Sequence, residues 1–175
     1  LCALHGAQRI PEVRYSVNAT ETPARANESF PSGSRARPPC PYDGAMSSID
    51  DFLAGDAFAV VGASRDRDKY GNKVLRCYLQ NGRVAYPVHP SESEIEGETC
   101  YASLGDLPNG AHGASIITPP HVTEQVVEDA AAAGIRHLWM QPGAESPAAI
   151  ARAEELGLSV IAGGPCLLVV LGFRE

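Results

Sequence analysis

The stretch AVVGASRDRDKYGNKVL, residues 59–75, decides the fold. A short apolar run ends at Gly62, a charged loop follows, and Val74, Leu75, Tyr78 and Leu79 then recur at helical spacing. Strand, glycine turn and helix in this order form the phosphate cradle of many α/β proteins, because the first amides of the helix have no partner within it and point outward.

Similar runs follow: RVAYPV (83–88), GASIIT (113–118), RHLWM (136–140) and LSVIA (158–162), besides AFAVVG (57–62) itself. Several are almost continuously apolar, as strands buried on both faces are. Helices with legible ends separate them. One stops at Gly82; another carries Val122, Val126, Ala130 and Ala133 and stops at Gly134; a third opens on Ser146 and Pro147, turns Ile150 and Ala153 inward and closes at Gly157. Residues 89–110 are less regular, and only a short helix near Tyr101–Leu107 is expected there. The alternation predicts an α/β fold, a doubly wound Rossmann-like parallel five-stranded sheet with helices on both faces.

Composition sets the outer limits. The chain has 175 residues, 44% of them hydrophobic, enough for one domain with a full core. Residues 1–45 are proline-rich, lack lysine and show no apolar periodicity, so they are expected to be disordered, with the domain spanning 46–175. Met46, followed by SSIDDFLAG with Ser48 as a helix cap, is a candidate start, and an authentic extension is the alternative. No apolar run reaches the length of a membrane span. The net charge of -7 argues against a nucleic-acid binder, which needs a basic face. Five cysteines without metal-ligand spacing fit a reducing, cytoplasmic setting.

Ligands of doubly wound sheets bind beyond the carboxyl ends of the strands. At the first end stand Gly62, Ala63, Ser64 and Arg65, followed by Arg67, Lys69, Lys73 and Arg76; the net positive loop favours an anion with several phosphates. A solvated charged loop is the competing reading. A nicotinamide fingerprint would require glycines at 64 and 67, where Ser64 and Arg67 stand, and an acid after the second strand, where Val88, His89 and Pro90 stand. Thr118, Pro119 and Pro120 form an apolar ledge after the third strand, and Met140, Gln141, Pro142 and Gly143 a polar exit suited to an extended ligand arm.

VVGAS, YPVHP with EIEGETCYASLGDLP, ITPP, LWMQPGAES and GGPC, in this order over roughly residues 47–170, closely resemble the small stand-alone CoA-binding proteins, whose fold is similar to the amino-terminal domain of the succinyl-CoA ligase α subunit. The resemblance implies coenzyme A, or an acyl-CoA, bound by Gly62, Ala63, Ser64 and Arg65, by His89, Pro90 and Ser91, by Thr118, Pro119 and Pro120, and by Met140, Gln141 and Pro142. In the ligase a lysine follows the second strand; this chain has none there, and Lys73 or an arginine of the first loop is the expected substitute. The ligase transfers phosphate through a histidine of a second domain, and the chain ends at Glu175 before one could begin. The expectation is therefore CoA binding without catalysis, with a homodimer or a catalytic partner subunit left open. A nicotinamide-dependent redox protein using the same crevice is the alternative. His89 and His121 read as structural residues, and Cys166 as apolar filler, with disulfide exchange with a CoA thiol as its reactive reading.

Overall fold

The structure, a computed structural model, describes residues 49–175. The expected disorder of 1–45, the start at Met46 and the cap at Ser48 lie outside the described residues. Helix α1 is described over residues 49–53. It leads into β1 (Ala57–Val61), α2 (Tyr70–Gln80), β2 (Val84–Val88), β3 (Glu94–Ile95), β4 (Glu98–Thr99), a 3₁₀ turn (Leu104–Asp106), β5 (Gly113–Ile116), α3 (Pro120–Ala132), β6 (His137–Met140), α4 (Pro147–Glu155), β7 (Ser159–Ile161) and α5 (Leu167–Val170).

The five long-range strands form one parallel sheet in the order β2-β1-β5-β6-β7, so the chain winds outward from β1 in both directions. Register places Ala59 between Tyr86 and Ala114, and Trp139 between Ser115 and Ile161. Alternation along each strand divides the core. Phe58, Val60, Trp139 and Ile161 pack with α1, α2 and α5, whereas Ala59, Val61, Leu138 and Met140 pack with α3 and α4. Helices thus cover both faces, the doubly wound arrangement the sequence predicts.

On the first face the rings of Phe52, Phe58 and Tyr78 stack with centroids 5.3 and 4.9 Å apart. Phe52 approaches so closely that a Cβ at Gly113 would lie 2.6 Å from its ring, so β5 must begin on glycine. The Tyr78 hydroxyl and Ser115 Oγ share a buried hydrogen bond of 2.8 Å, and burial raises the phenol far above its usual titration range.

The hairpin β3–β4 and helix α5 are additions to the sequence reading. The hairpin turns on Glu96 and Gly97, both with positive φ (51° and 85°), the geometry a two-residue turn requires. Asn or Asp ordinarily marks that first position; glutamate conceals it. The expected helix near Tyr101–Leu107 is the single 3₁₀ turn, closed by a capping box between Ser103 and Asp106.

At the amino edge of the sheet His112 and His137 stack with ring centroids 4.3 Å apart, and His112 Nε2 lies 3.0 Å from the Asp51 carbonyl of α1. Burial first, and the neighbouring His112 second, lower the His137 pKa below 6.5, with Asp51 opposing them. The unfolded chain then binds more protons than the folded one as pH falls from 6.5 toward that lowered value, so stability is lost on acidification through this window. His137→Gln is expected to show a smaller fall in melting temperature between pH 7 and pH 5 than the parent; parallel curves would refute the assignment.

Candidate functional site

Strand order reverses direction between β1 and β5, and a cavity of about 800 Å³ opens there beyond their carboxyl ends. That volume suits a cofactor-sized ligand. Its floor is the turn after β1. Gly62, at φ +88°, lets the chain turn, with its amide bonded to the Val88 carbonyl at 3.1 Å. Ala63 and Ser64 follow along the wall, and Ser64 Oγ accepts the Asp66 amide at 3.2 Å.

The wall continues through Lys69, Tyr70 and Gly71 at the start of α2. A Cβ at Gly71 would lie 2.2 Å from the Gly62 carbonyl oxygen, so only glycine allows the helix to sit this close to the strand. The third glycine of the dinucleotide fingerprint has the same packing task; here it stands further along the chain. The Tyr70 and Gly71 amides, first in the helix, have no acceptor among the described residues, and both residues line the cavity. Asn72, fully buried, fixes the turn from below by donating to the Ser64 carbonyl at 2.8 Å and to Glu96 of the hairpin at 3.0 Å.

Seven of the expected site residues line this cavity: Gly62, Ala63, Ser64, His89, Pro90, Thr118 and Pro119. The others stand apart from it. Arg65 Nε donates to the Glu94 carbonyl at 2.9 Å and pairs with Glu92 at 2.8 Å. Lys73 pairs with Glu175 at 2.6 Å. Ser91 supports the His89 ring, its amide and hydroxyl each 3.3 Å from Nδ1. Pro120 is exposed in the first turn of α3, Met140 is buried in the core and Pro142 is exposed on the following turn. Gln141 is fully buried, and its Oε1 accepts the Tyr70 hydroxyl at 3.1 Å and the Leu167 amide at 2.9 Å. It ties α2 to α5.

The electrostatics differ from the linear reading of the loop. Arg67 also has a partner, Glu96 at 3.1 Å, and Arg76 lies over the Phe173 ring, 5.0 Å from its centroid. Of the five basic residues in 65–76, Lys69 alone lines the cavity, and no ion pair occupies it among the described residues. The Tyr70 phenol is raised well above its usual titration range, owing first to burial and then to the nearby Cys166, so it stays neutral and donates to Gln141 Oε1. Cys77, Cys100 and Cys166 are free thiols; burial pushes Cys77 up to about 11. Cys166 is half-buried and does not line the cavity.

Fold and crevice together define a doubly wound α/β domain with an open cavity at its switch point. The family described as "CoA binding domain" matches residues 56–172, and the chain belongs to that family. Acetate–CoA ligase [ADP-forming] II of Archaeoglobus fulgidus is 31% identical over 97 residues, 54% of this chain and 14% of that protein. The α subunit of acetate–CoA ligase [ADP-forming] II from Pyrococcus furiosus is 31% identical over 90 residues, 50% of this chain and 20% of that subunit. The chain thus spans a small part, 14% and 20%, of these curated relatives. Among solved structures, a conserved hypothetical protein from Pyrococcus furiosus matches with TM-score 0.62 and 39% identity, over 65% of this chain and 97% of that one. A hypothetical protein from Pyrococcus horikoshii matches with TM-score 0.68 and 28% identity, over 77% and 95%. No helix among the described residues is long and apolar enough to cross a membrane.

Gly71→Ala is expected to force α2 away from the turn, at a cost of about 1–3 kcal/mol, the usual penalty of overpacking. Gly105→Ala, where the new Cβ would meet nothing nearer than Ser103 Oγ at 3.7 Å, is the control and should melt within about 2 °C of the parent. Equal melting temperatures for both variants would show that the contact is not limiting.

Proposed function

We propose that this chain binds coenzyme A, free or acylated, in the cavity over the β1 turn and has no catalytic activity of its own. The observation that carries the reading is the wall from Gly62 to Gly71: Tyr70 and Gly71, whose amides have no acceptor among the described residues, the Ser64 hydroxyl, and Lys69, which has no ion pair among them, border one concave space. Such a set binds phosphate oxygens by hydrogen bonds from fixed donors and by one mobile charge. Lys69 takes the place for which Lys73 is the sequence expectation, since Lys73 is engaged by Glu175.

The exit of β2 separates CoA from a nicotinamide dinucleotide. His89 lines the cavity there, and no carboxylate from that exit does. A ribose with free 2′ and 3′ hydroxyls therefore lacks its usual acidic partner, while a phosphorylated ribose meets an imidazole. The named activities of the larger relatives belong to chains of which this one matches a fifth or less, so ligase chemistry here would require further domains or a partner subunit supplying them. A homodimer is compatible with the same site.

Calorimetric titration of the purified chain with CoA and with NAD tests the reading; CoA is expected to bind and NAD not, and equal affinity for both would overturn it. Ser64→Ala should weaken CoA binding about 2- to 12-fold, the range for a neutral hydrogen bond. Ser64→Glu should weaken it by about a further order of magnitude through like-charge repulsion. A folded Ser64→Glu protein that bound CoA as tightly as the parent would place the ligand elsewhere.

A further inference from the structure

Among the described residues Glu96 alone takes a positive φ without being glycine, at 51°. That conformation crowds the Cβ against the following carbonyl, and asparagine before glycine is the pair that ordinarily occupies such a turn. The glutamate side chain is placed as unusually as its backbone. The residue is exposed at the tip of the β3–β4 hairpin, yet its side chain keeps only 19% of its surface in solvent. It reaches back to α2, where Oε1 accepts Asn72 Nδ2 at 3.0 Å, and to the loop before it, where Oε2 pairs with Arg67 at 3.1 Å.

Arg67 is mostly exposed, so that ion pair contributes little. The bond to Asn72 is the consequential one. Asn72 is fully buried in the first turn of α2, and both of its side-chain hydrogen bonds come from Nδ2, one to Glu96 and one to the Ser64 carbonyl at 2.8 Å. Its Oδ1 has no partner among the described residues. The amide is therefore oriented from its nitrogen side alone, by two oxygen acceptors, and a flipped amide would set Oδ1 against both. Without the Glu96 carboxylate only the Ser64 bond remains to orient it. The hairpin has anchors of its own, Ile95 in the core and the bonds of Arg65 to Glu92 and to the Glu94 carbonyl. A change at 96 thus releases Asn72 without undoing the hairpin.

Resting on the CoA reading above, we infer that Glu96, which does not line the cavity, is a positioning residue for it. Its carboxylate fixes the Asn72 amide, and that amide holds Ser64, a lining residue, in place before a ligand arrives. When that support is lost, the cost of ordering the turn falls on binding.

The test is calorimetric titration with CoA of the full chain and two variants, each well below its melting transition. Glu96→Asn gives the turn its usual Asn-Gly pair and withdraws the carboxylate from Asn72. It should melt no more than about 2 °C below the parent. It should bind CoA about 3- to 12-fold more weakly, the range for immobilising one side chain on binding. Glu96→Gln keeps an acceptor on Asn72 through its amide oxygen and removes only the charge, so it should bind within about twofold of the parent. Rescue by glutamine and not by asparagine separates positioning from charge. An asparagine variant that binds as tightly as the parent or melts well below it, or a glutamine variant as weak as the asparagine one, would overturn the role of Glu96 and leave CoA binding standing. Failure of the parent to bind CoA would overturn both.

Discussion

The site depends on one close approach, that of Gly71 to the carbonyl of Gly62. Any side chain at 71 would enter the space of that oxygen, at 2.2 Å, so the distance between α2 and the turn after β1 is set by the absence of a Cβ. With the helix seated there, its first two residues, Tyr70 and Gly71, line the crevice with Lys69. Asn72, one residue on, ties the Ser64 carbonyl to the helix and to the hairpin at once. The turn is thereby fixed before a ligand arrives, which lowers the ordering cost that binding must overcome.

The sheet supplies the rest of the frame. Its two faces are built differently: large aromatic rings fill the side of α1 and α2, and small alanines and branched residues fill the side of α3 and α4. Small residues on that second face let α3 and α4 pack closely on the sheet, with Ala130, Ala149 and Ala153 fully buried. The position of α3 then fixes where Val122, Val126 and Asp129 meet the cavity. Thr123 reinforces it, with its buried hydroxyl 3.0 Å from Thr118 Oγ1 at the exit of β5.

The strands were legible because burial on both faces makes them short, nearly continuous apolar runs, and the helices because Gly82, Gly134 and Gly157 mark their ends. The hairpin was hidden by a glutamate at a positive-φ position. Charge was the harder reading: Arg65 and Arg67 stand close together in sequence, but their partners are Glu92, just before a hairpin that sequence pattern did not reveal, and Glu96 at its turn. Gln141 illustrates the same limit, since a polar residue after a strand can face a ligand or bond two helices, and only the fold shows that it bonds Tyr70 and Leu167. Gly71 did leave a signal. Glycine just inside a helix costs about 0.5–1 kcal/mol relative to alanine and so points to a close backbone contact.

The central claim, that phosphate is held by the fixed amides between β1 and α2, is tested most directly by amide NMR of the isotopically labelled chain during addition of CoA. The account predicts large shifts and slowed hydrogen exchange at Ser64, Tyr70 and Gly71, with Gly157 and Gly163, far from the crevice in sequence and absent from its lining, unchanged. Binding that shifted the latter and left the amides of Ser64, Tyr70 and Gly71 unperturbed would contradict it.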